Sequence, residues 1–456
     1  MMPSMLRVER LDVHNYRCFA DCRIDLHERL TVLVAENGQG KTALLDAIGD
    51  ALEVFVDAVT GTRQFHGLNS SDVRLVLGPD GSMTPATPAG FKAWGELAGE
   101  HIEWHREIRK LSARSRASKK GAEHLRAAAS HMREKMSAGN QLAEPMLLPL
   151  VAFYGTGRLW NENDVNERKK RREPIPVGRF VGYVDCLSSK ASFKGLLEWF
   201  ERTMAELGDA KFSREQSDNL ALVEAVREAT RIVLGPTGWQ ELIWNYEHKR
   251  LDVKHVEYGV LPLSALSDGV RNMVALVADI ARRGASLNPH LREQAARRTP
   301  GVLLIDEVDM HLHPRWQQLI VASLQEAFPA LQMIVSTHSP HVLSTVSAES
   351  IRVIRLRQDQ GIVEMPDLQT QGVESSGVLS EVMEVQSSPP VEQAEWLSDY
   401  RALVQTSNEE SMAGKELWNK LVEHFGEEHP VVAEMQVLRR LQEFRRENQV
   451  PPQQGQ

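Results

Sequence analysis

Short apolar runs alternate with amphipathic helical patterns over most of the chain. The runs Leu30–Val34, Val302–Ile305 and Met333–Ser336 are largely apolar without alternation, which is typical of strands buried on both faces of a parallel sheet. Helical spacing follows the first run over residues 43–56, and a capped helical pattern covers residues 264–283. The pattern predicts an α/β fold, with a mixed β-sheet and packed helices.

The periodicity also predicts how the chain divides into segments. It weakens over residues 59–145, where turn-rich and basic stretches predict a partly disordered or helical basic insertion. Near the C-terminus, apolar residues fall on one face of each of three short amphipathic helices. The predicted segments are an N-terminal lobe (1–58), the insertion (59–145), a C-terminal part with a helical subdomain (146–370) and an all-helical tail (371–456).

Composition narrows the class of protein. The 456 residues are 42% hydrophobic and 25% charged, as in ordinary globular proteins. No apolar run is long enough to span a bilayer, and the first residues lack the apolar core of a signal peptide. Three cysteines argue against a disulfide framework. These observations predict a cytoplasmic protein without a membrane partner.

Charge is unevenly distributed along the chain. Residues 374–456 hold fifteen acidic and seven basic residues, a net charge of −8, whereas the whole chain has −9. Residues 105–135 hold ten basic and three acidic residues, and a second basic run covers 168–172. The two basic segments are candidate contacts for nucleic acid, with a solvated insertion as the alternative.

A glycine-rich stretch follows the first apolar run. It reads Ala35-Glu36-Asn37-Gly38-Gln39-Gly40-Lys41-Thr42 and has the spacing of a P-loop, with Ala35 where a glycine usually stands. Gly38 and Gly40 allow backbone N–H groups to point at phosphate oxygens. Lys41 is the candidate for the β- and γ-phosphates and Thr42 for Mg²⁺, with Asn37 and Gln39 completing an ATP cradle. The alternative is an ordinary turn between a strand and a helix.

Three later stretches extend the candidate site. Asp306 ends an apolar run, where it would hold Mg²⁺, and Glu307 beside it would orient or deprotonate a water. Ser267, Asp268 and Gly269 open a helix, which is a suitable place for an anion. His338 follows the run that ends at Ser336, where it would contact the γ-phosphate.

The order of these motifs resembles the ATP-binding-cassette (ABC) ATPases, and specifically their SMC/RecF-like branch. The resemblance implies an ABC-type ATPase head in which Glu307 and His338 are catalytic and Ser267 to Gly269 bind a γ-phosphate held by a second head. It also implies that Arg17, in Asn15-Tyr16-Arg17, approaches the nucleotide and that Asp309 lies in a loop at the dimer interface.

One element of the family pattern is missing. The glutamine of the family's Mg²⁺-sensing loop has no counterpart here, and Phe153-Tyr154-Gly155-Thr156-Gly157-Arg158 occupies its place. This departure favours weak Mg²⁺ coordination and slow hydrolysis.

A finer resemblance rests on VAFYGTGRLW, SFKGLLEWFE, LPLSALSDGVRNMVALVADIARR and LLIDEVDMHLHPRWQQ. These stretches look like the ATPase subunit of Septu-type anti-phage defence systems (PtuA-like). The resemblance implies a small HNH-type nuclease partner and a homodimer of heads within a possible higher oligomer. It implies an ATPase that is not itself a nuclease. The acidic tail is a candidate docking segment for the partner, or else it packs on its own ATPase core.

Other interpretations stay open at this point. A RecF-like repair ATPase would clamp DNA as an ATP-bound dimer, and a scaffold would hold ATP without hydrolysing it. His311 with His313, and His338 with His341, have spacings that a metal site also uses.

Overall fold

The computed structural model describes residues 5–63, 67–110, 120–137, 145–157, 178–188, 193–209, 214–383 and 389–447. Its strands are β1 (Leu6–Tyr16), β2 (Phe19–Asp25), β3 (Leu30–Val34), β4 (Leu75–Leu77), β5 (Met83–Pro85), β6 (Ala89–Leu97), β7 (Glu100–Ile108), β8 (Leu150–Tyr154), β9 (Trp239–Asn245), β10 (Arg250–His255), β11 (Gly259–Pro262), β12 (Gly301–Ile305), β13 (Leu331–Ser336), β14 (Ile351–Arg357) and β15 (Gln360–Glu364). Its helices are α1 (Lys41–Thr60), α2 (Glu123–Ser137), α3 (Phe193–Asp209), α4 (Arg214–Leu234), α5 (Asp268–Leu287), α6 (Ala295–Arg298), α7 (Pro314–Gln317), α8 (Ile320–Ala327), α9 (Pro340–Leu343), α10 (Ser375–Glu381), α11 (Glu392–Gln405), α12 (Met412–Phe425) and α13 (Pro430–Glu447).

A mixed sheet of ten strands forms the centre of the first unit. Its strand order is β7-β6-β1-β2-β15-β14-β3-β13-β12-β8. Strands β3, β13, β12 and β8 pair in parallel, and every residue of these four strands is buried. Strands β1, β2, β6 and β7 pair antiparallel on the other side. The parallel half therefore brings the carboxyl ends of several strands to one edge of the sheet.

The outer parallel strand β8 is an edge strand that is nevertheless fully buried. Residues 178–186 cover it: the Phe153 N–H donates to the Cys186 carbonyl at 2.6 Å, and the Tyr183 hydroxyl donates to the Pro149 carbonyl at 2.6 Å. This covering segment removes an unpaired strand edge, which would otherwise be a site for pairing with another chain.

The predicted insertion differs from the observed structure. Part of it, β6 and β7, belongs to the main sheet, and α2 is an α-helix within the described residues of the insertion. The two strands alternate buried and outward residues, with Phe91, Trp104 and Ile108 in the core. Charged residues occupy many of the outward positions of these two strands, so the alternation of apolar and polar residues was not recognised as a strand pattern in the sequence.

The same region carries the first basic segment, and part of its charge is internal. Arg106 is 5% exposed and donates to Glu53 of α1 at 3.1 Å. Residues 111–119 and the second basic run 168–172 lie outside the described residues. The described part of the segment therefore does not present all of its cations to solvent.

The chain forms two compact units, residues 1–383 and 384–456. The sequence predicted this boundary after residue 370, whereas the first unit extends to residue 383. The difference arises because Val378 and Val382 belong to the core of the first unit. The second unit contains α11, α12 and α13 around Tyr400, Val404, Leu421 and Met435, so the described part of the tail is helical as predicted. No helix in the described ranges is long and apolar enough to cross a membrane.

Leu421→Ala should unfold the three-helix unit. Leu421 is 1% exposed in a core of four fully buried residues, and such a truncation costs about 2–5 kcal/mol. A core of this size supplies about 3–5 kcal/mol. Hydrogen–deuterium exchange should therefore show loss of protection over α11 to α13. Met412→Ala, at a side chain that is 90% exposed, is the control and should leave exchange unchanged. Unchanged protection in Leu421→Ala would contradict this core.

Candidate nucleotide site

Three neighbouring parallel strands deliver the candidate residues to one edge of the sheet. The glycine-rich loop follows β3, the acidic pair follows β12, and His338 follows β13. Because β13 pairs with both β3 and β12, these three strand ends are adjacent. The sheet thus brings together residues that are far apart in the chain, such as Thr42 and Asp306, which are separated by 264 positions.

The glycine-rich loop has the backbone that a phosphate cradle requires. Gly38 has a φ of 81° and Gly40 a φ of 94°, both in the left-handed region. A Cβ at Gly40 would lie 2.2 Å from Phe19 Cζ and 2.8 Å from Cys18 Sγ, so only glycine fits there. Gly40 is also the N-cap of α1 and supplies no side-chain cap. The N-terminus of α1, which is the positive end of the helix dipole, is therefore directed at the site.

Gln39 and Lys41 are held by backbone groups. The Leu356 N–H donates to the Gln39 side-chain oxygen at 2.7 Å, which ties the loop to β14. Lys41 Nζ donates to the carbonyls of Ala35 at 2.6 Å and Glu36 at 3.3 Å. Burial lowers the pKa of Lys41 and outweighs the opposite effect of the nearby carboxylates. The lysine thus lies folded against its own loop, at the site where a γ-phosphate would give it a stronger partner.

Asp306 is the best-connected polar residue of the site. It is 2% exposed; its Oδ2 accepts from Thr42 Oγ1 at 2.8 Å, and its Oδ1 accepts from Ser336 Oγ at 2.5 Å. The sequence predicted the pair Thr42 and Asp306 and missed Ser336, whose position at the end of β13 was the available signal. A hydroxyl and a carboxylate oxygen side by side are ligands that fit Mg²⁺, which is usually completed by phosphate oxygens and water.

Glu307 is placed by its backbone. Its φ is 48°, a left-handed value that is uncommon for a residue with a side chain, and its N–H donates to Ser336 Oγ at 2.8 Å. The same serine hydroxyl therefore binds Asp306 and orients Glu307. Backbone strain of this kind is concentrated at functional sites.

Asp309 and His338 lie in two facing loops. Asp309 Oδ1 accepts from Thr337 Oγ1 at 2.5 Å, so the loop after Glu307 is fastened to the end of β13. His338 is half-buried, and its pKa is lowered first by burial and then by Lys41, while Glu307, Asp309 and Asp306 act in the opposite direction. The lowered pKa favours a neutral imidazole at His338, near Lys41 and the acidic pair.

The predicted anion site, Ser267 to Gly269, opens α5. These three residues are called the signature turn, and α5 the signature helix. Ser267 is the N-cap of this helix, and among the described residues its side chain makes no capping hydrogen bond. Asp268 pairs with Arg271 on the helix surface. Gly269 packs on the loop that follows the acidic pair, because a Cβ there would lie 2.2 Å from the His311 carbonyl oxygen. The signature turn and the acidic-pair loop are therefore in direct contact.

Arg17 is held by two carboxylates that the sequence did not single out. It pairs with Asp46 of α1, and its Nε and Nη2 donate to Asp72 Oδ1 at 3.1 Å and 3.0 Å. Its φ of 49° gives a left-handed backbone between β1 and β2. Arg17 thus contacts Asp46 and Asp72, and its approach to nucleotide stays a prediction.

The histidine pairs have structural partners. The Arg315 N–H donates to His313 Nδ1 at 3.3 Å, which caps α7, and His341 Nδ1 lies 2.8 Å from Ser375 Oγ. Over the described ranges, no group of three histidine, cysteine or acidic residues is arranged to hold a metal ion. His313 and His341 therefore each have a partner within the protein.

The strand end that replaces the family's glutamine carries a buried polar network. The Tyr154 hydroxyl donates to Asp279 Oδ2 at 2.7 Å, and Arg282 and Arg283 of α5 donate to the same carboxylate. Burial alone disfavours this carboxylate, but the two guanidinium groups outweigh it and hold the pKa of Asp279 well below its usual range. The sequence did not predict this network, although the charged residues Asp279, Arg282 and Arg283 within an otherwise apolar helix pattern were a signal for it.

His338 should titrate below 6.5, the ordinary value of a histidine, because burial and Lys41 both disfavour its protonated form. The unfolded chain binds this proton more tightly than the folded site, so protonation opposes folding of the site as pH falls below that value. NMR of histidine-labelled protein measures the midpoint. Lys41→Ala should raise it. A midpoint at or above the ordinary value in the unmodified protein would contradict the described burial.

Family models and individual relatives agree with this geometry. An AAA domain model matches residues 10–228, and a model described as "AAA domain, putative AbiEii toxin, Type IV TA system" matches residues 190–344. The "Retron Vc95 probable ATPase" of Vibrio cholerae serotype O1 biovar El Tor is 24% identical over 91% of this chain and 86% of its own length.

Two further matches are more limited. Septu protein PtuA of Bacillus mycoides (strain KBAB4) is 44% identical over 78 residues, which are 17% of this chain and 10% of that protein. A solved SMC head bound to the C-terminal winged-helix domain of ScpA aligns with a TM-score of 0.46 and 15% identity, over 78% of this chain and 97% of that one. The chain is thus similar to AAA-domain models over residues 10–344, to a retron ATPase over most of its length and to Septu PtuA over a short stretch.

Proposed function

We propose that this chain is the ATP-binding and ATP-hydrolysing subunit of a bacterial anti-phage defence complex. In this proposal, ATP closes two heads on each other and thereby regulates a partner HNH-type nuclease. The observation that carries the ATPase part is the convergence of Lys41, Thr42, Asp306, Glu307 and His338 at three adjacent strand ends. The defence part is supported by the relatives named for retron and Septu systems.

Each residue of the site has a role in this proposal. The loop from Asn37 to Gly40 and the start of α1 hold the phosphates, and Lys41 leaves the carbonyls of its own loop for the γ-phosphate. Thr42 and Asp306 would hold Mg²⁺, which when bound neutralises phosphate charge. Glu307 orients or deprotonates the attacking water.

His338 completes the site as a neutral imidazole. Its lowered pKa allows it to donate one hydrogen bond to a phosphate oxygen while it carries no charge at neutral pH. Hydrolysis and loss of the γ-phosphate would remove that partner. We therefore assign His338 the detection of the γ-phosphate.

The second head enters through the signature turn. Ser267 lies at the N-terminus of the 20-residue helix α5 and spends no side-chain bond on capping it. Its hydroxyl and the first N–H groups of α5 suit a γ-phosphate presented by another copy. Asp309 lies in the loop that this arrangement would bring to the interface, next to the contact between Gly269 and His311.

The partner part of the proposal concerns the second unit. Residues 389–447 carry most of the acidic tail on three helices with a small core of their own. We propose this unit as the docking element for the nuclease. We place the complex in the cytoplasm, where the three free cysteines, Cys18, Cys22 and Cys186, would remain reduced.

Glu307→Gln should trap ATP and stabilise a pair of heads. The amide keeps the shape of the side chain but cannot act as a base, so bound ATP persists and the closed state accumulates. Mass photometry with saturating ATP should show twice the monomer mass. A protein that remains at the same mass with and without ATP would count against the composite site.

Two further variants separate binding from pairing. Ser267→Arg, in the Glu307→Gln background, should bind ATP but stay monomeric, because the guanidinium fills the place of the partner's γ-phosphate. Lys41→Ala should lose ATP binding and pairing together. If the Ser267→Arg protein still pairs, Ser267 is only a helix cap.

Co-purification with the products of neighbouring genes tests the partner. Tagged protein, isolated with and without ATP and analysed by mass spectrometry, should carry a small nuclease. Isolation of the chain alone, with ATP-dependent pairing only on DNA at low salt, would instead favour a RecF-like clamp. Tightly retained ATP without turnover would favour a scaffold.

A further inference from the structure

The signature helix is joined to the acidic-pair strand by a buried chain of hydrogen bonds. The Asp306 N–H donates to the Tyr154 carbonyl at 2.8 Å, at the end of β8. The Tyr154 hydroxyl donates to Asp279 Oδ2 at 2.7 Å, in the middle of α5. Asp279 lies 12 residues after Ser267, so about 18 Å of helix separates it from the signature turn.

Two arginines fix the far side of this chain. Arg282 donates to Asp279 Oδ1 at 2.6 Å and 2.9 Å, and Arg283 donates to Oδ2 at 2.7 Å. Arg283 also donates to the carbonyls of Gly182 at 2.9 Å and Val184 at 2.8 Å, in the segment that covers β8. All of these guanidinium groups are at most 5% exposed.

Burial of three charges is a poor way to gain stability. Removing charged groups from water costs about as much as their pairing returns, and apolar residues of similar size would stabilise the same layer at least as well. What such a network does supply is one fixed geometry, because every oxygen of Asp279 has a directed donor. That geometry here joins β8 and α5.

The two ends of this hydrogen-bonded chain lie at the nucleotide site and on the signature helix α5. At one end, Asp306 binds the Thr42 hydroxyl inside the nucleotide site. At the other end, α5 is a single helix from Asp268 to Leu287, so Asp279 and the N-cap Ser267 belong to one element. The hydrogen-bonded chain therefore connects the residue that binds Thr42 with the helix that carries Ser267.

We propose that Tyr154 and Asp279 are positioning residues that set the signature turn of α5 according to the state of Asp306 in the same head. The inference rests on the proposed closure of two heads. Under it, ATP bound in one head prepares that head's Ser267 for the nucleotide of the other head. The two ATP sites of a pair are then energetically coupled, although Tyr154 and Asp279 contact no nucleotide.

The test compares the loss of the hydroxyl group at two buried tyrosines, one at the end of β8 and one in the segment that covers β8. Tyr154→Phe removes the hydroxyl that bonds Asp279, and leaves that carboxylate with both arginines. Tyr183→Phe removes an equally buried hydroxyl that donates to the Pro149 carbonyl, near the start of β8. Both variants are made in the Glu307→Gln protein, and ATP-dependent pairing is titrated by mass photometry. ATP affinity alone is measured with a fluorescent ATP analogue in the Ser267→Arg background.

Tyr154→Phe should raise the ATP concentration for half-maximal pairing by about tenfold, the scale of one buried hydrogen bond, and leave ATP affinity of the single head within about twofold. With Glu307 intact, KM for ATP hydrolysis should rise by a similar factor while kcat at saturating ATP stays nearly constant, because hydrolysis follows pairing. Tyr183→Phe should change neither pairing nor KM.

The outcomes separate the two levels of the proposal. Equal effects of Tyr154→Phe and Tyr183→Phe on pairing would overturn the inference, because the network would then be only structural. A loss of single-head ATP affinity as large as the loss of pairing would also overturn it. Absence of pairing in the Glu307→Gln protein with Tyr154 intact would overturn the proposed closure itself, and this inference with it.

Discussion

The site depends on a carboxylate that has almost no access to water. Asp306 is 2% exposed, and a buried carboxylate is tolerated only when directed donors replace its hydration. Those donors come from Thr42 at the start of α1 and Ser336 at the end of β13. The need to satisfy one carboxylate therefore fixes a helix and two strands relative to each other. The remaining features of the site, from Lys41 to Glu307, take their positions from these elements.

Local motifs were predictable from the sequence because each is set by a few neighbouring residues. Gly38, Gly40, Lys41 and Thr42 require only their own spacing, and the predicted α/β fold with a mixed sheet and packed helices is confirmed. The predicted resemblance to PtuA-like ATPases is confirmed by the relatives. The roles assigned to the individual site residues stay predictions.

Features that depend on distant partners were not predictable in the same way. The strands β6 and β7 carry many charges, and only their pairing with β1 reveals which side chains face the core. Asp46 and Asp72 stand 29 and 55 positions from Arg17, at no motif spacing. The buried cluster around Asp279 depends on a tyrosine 125 positions away. Sequence patterns report periodicity within an element, whereas these contacts join separate elements.

The left-handed backbone at Glu307 has a consequence for which side chains this position accepts. Glycine, asparagine and aspartate adopt a φ of 48° more readily than glutamate does. Aspartate would relieve the backbone but shorten the side chain by one methylene group, and glycine would remove the carboxylate. The backbone conformation at residue 307 and the length of the acidic side chain thus favour different amino acids at this position. If Glu307 has the role proposed for it, glycine, asparagine or aspartate at residue 307 would therefore relieve the backbone and lower the rate of hydrolysis.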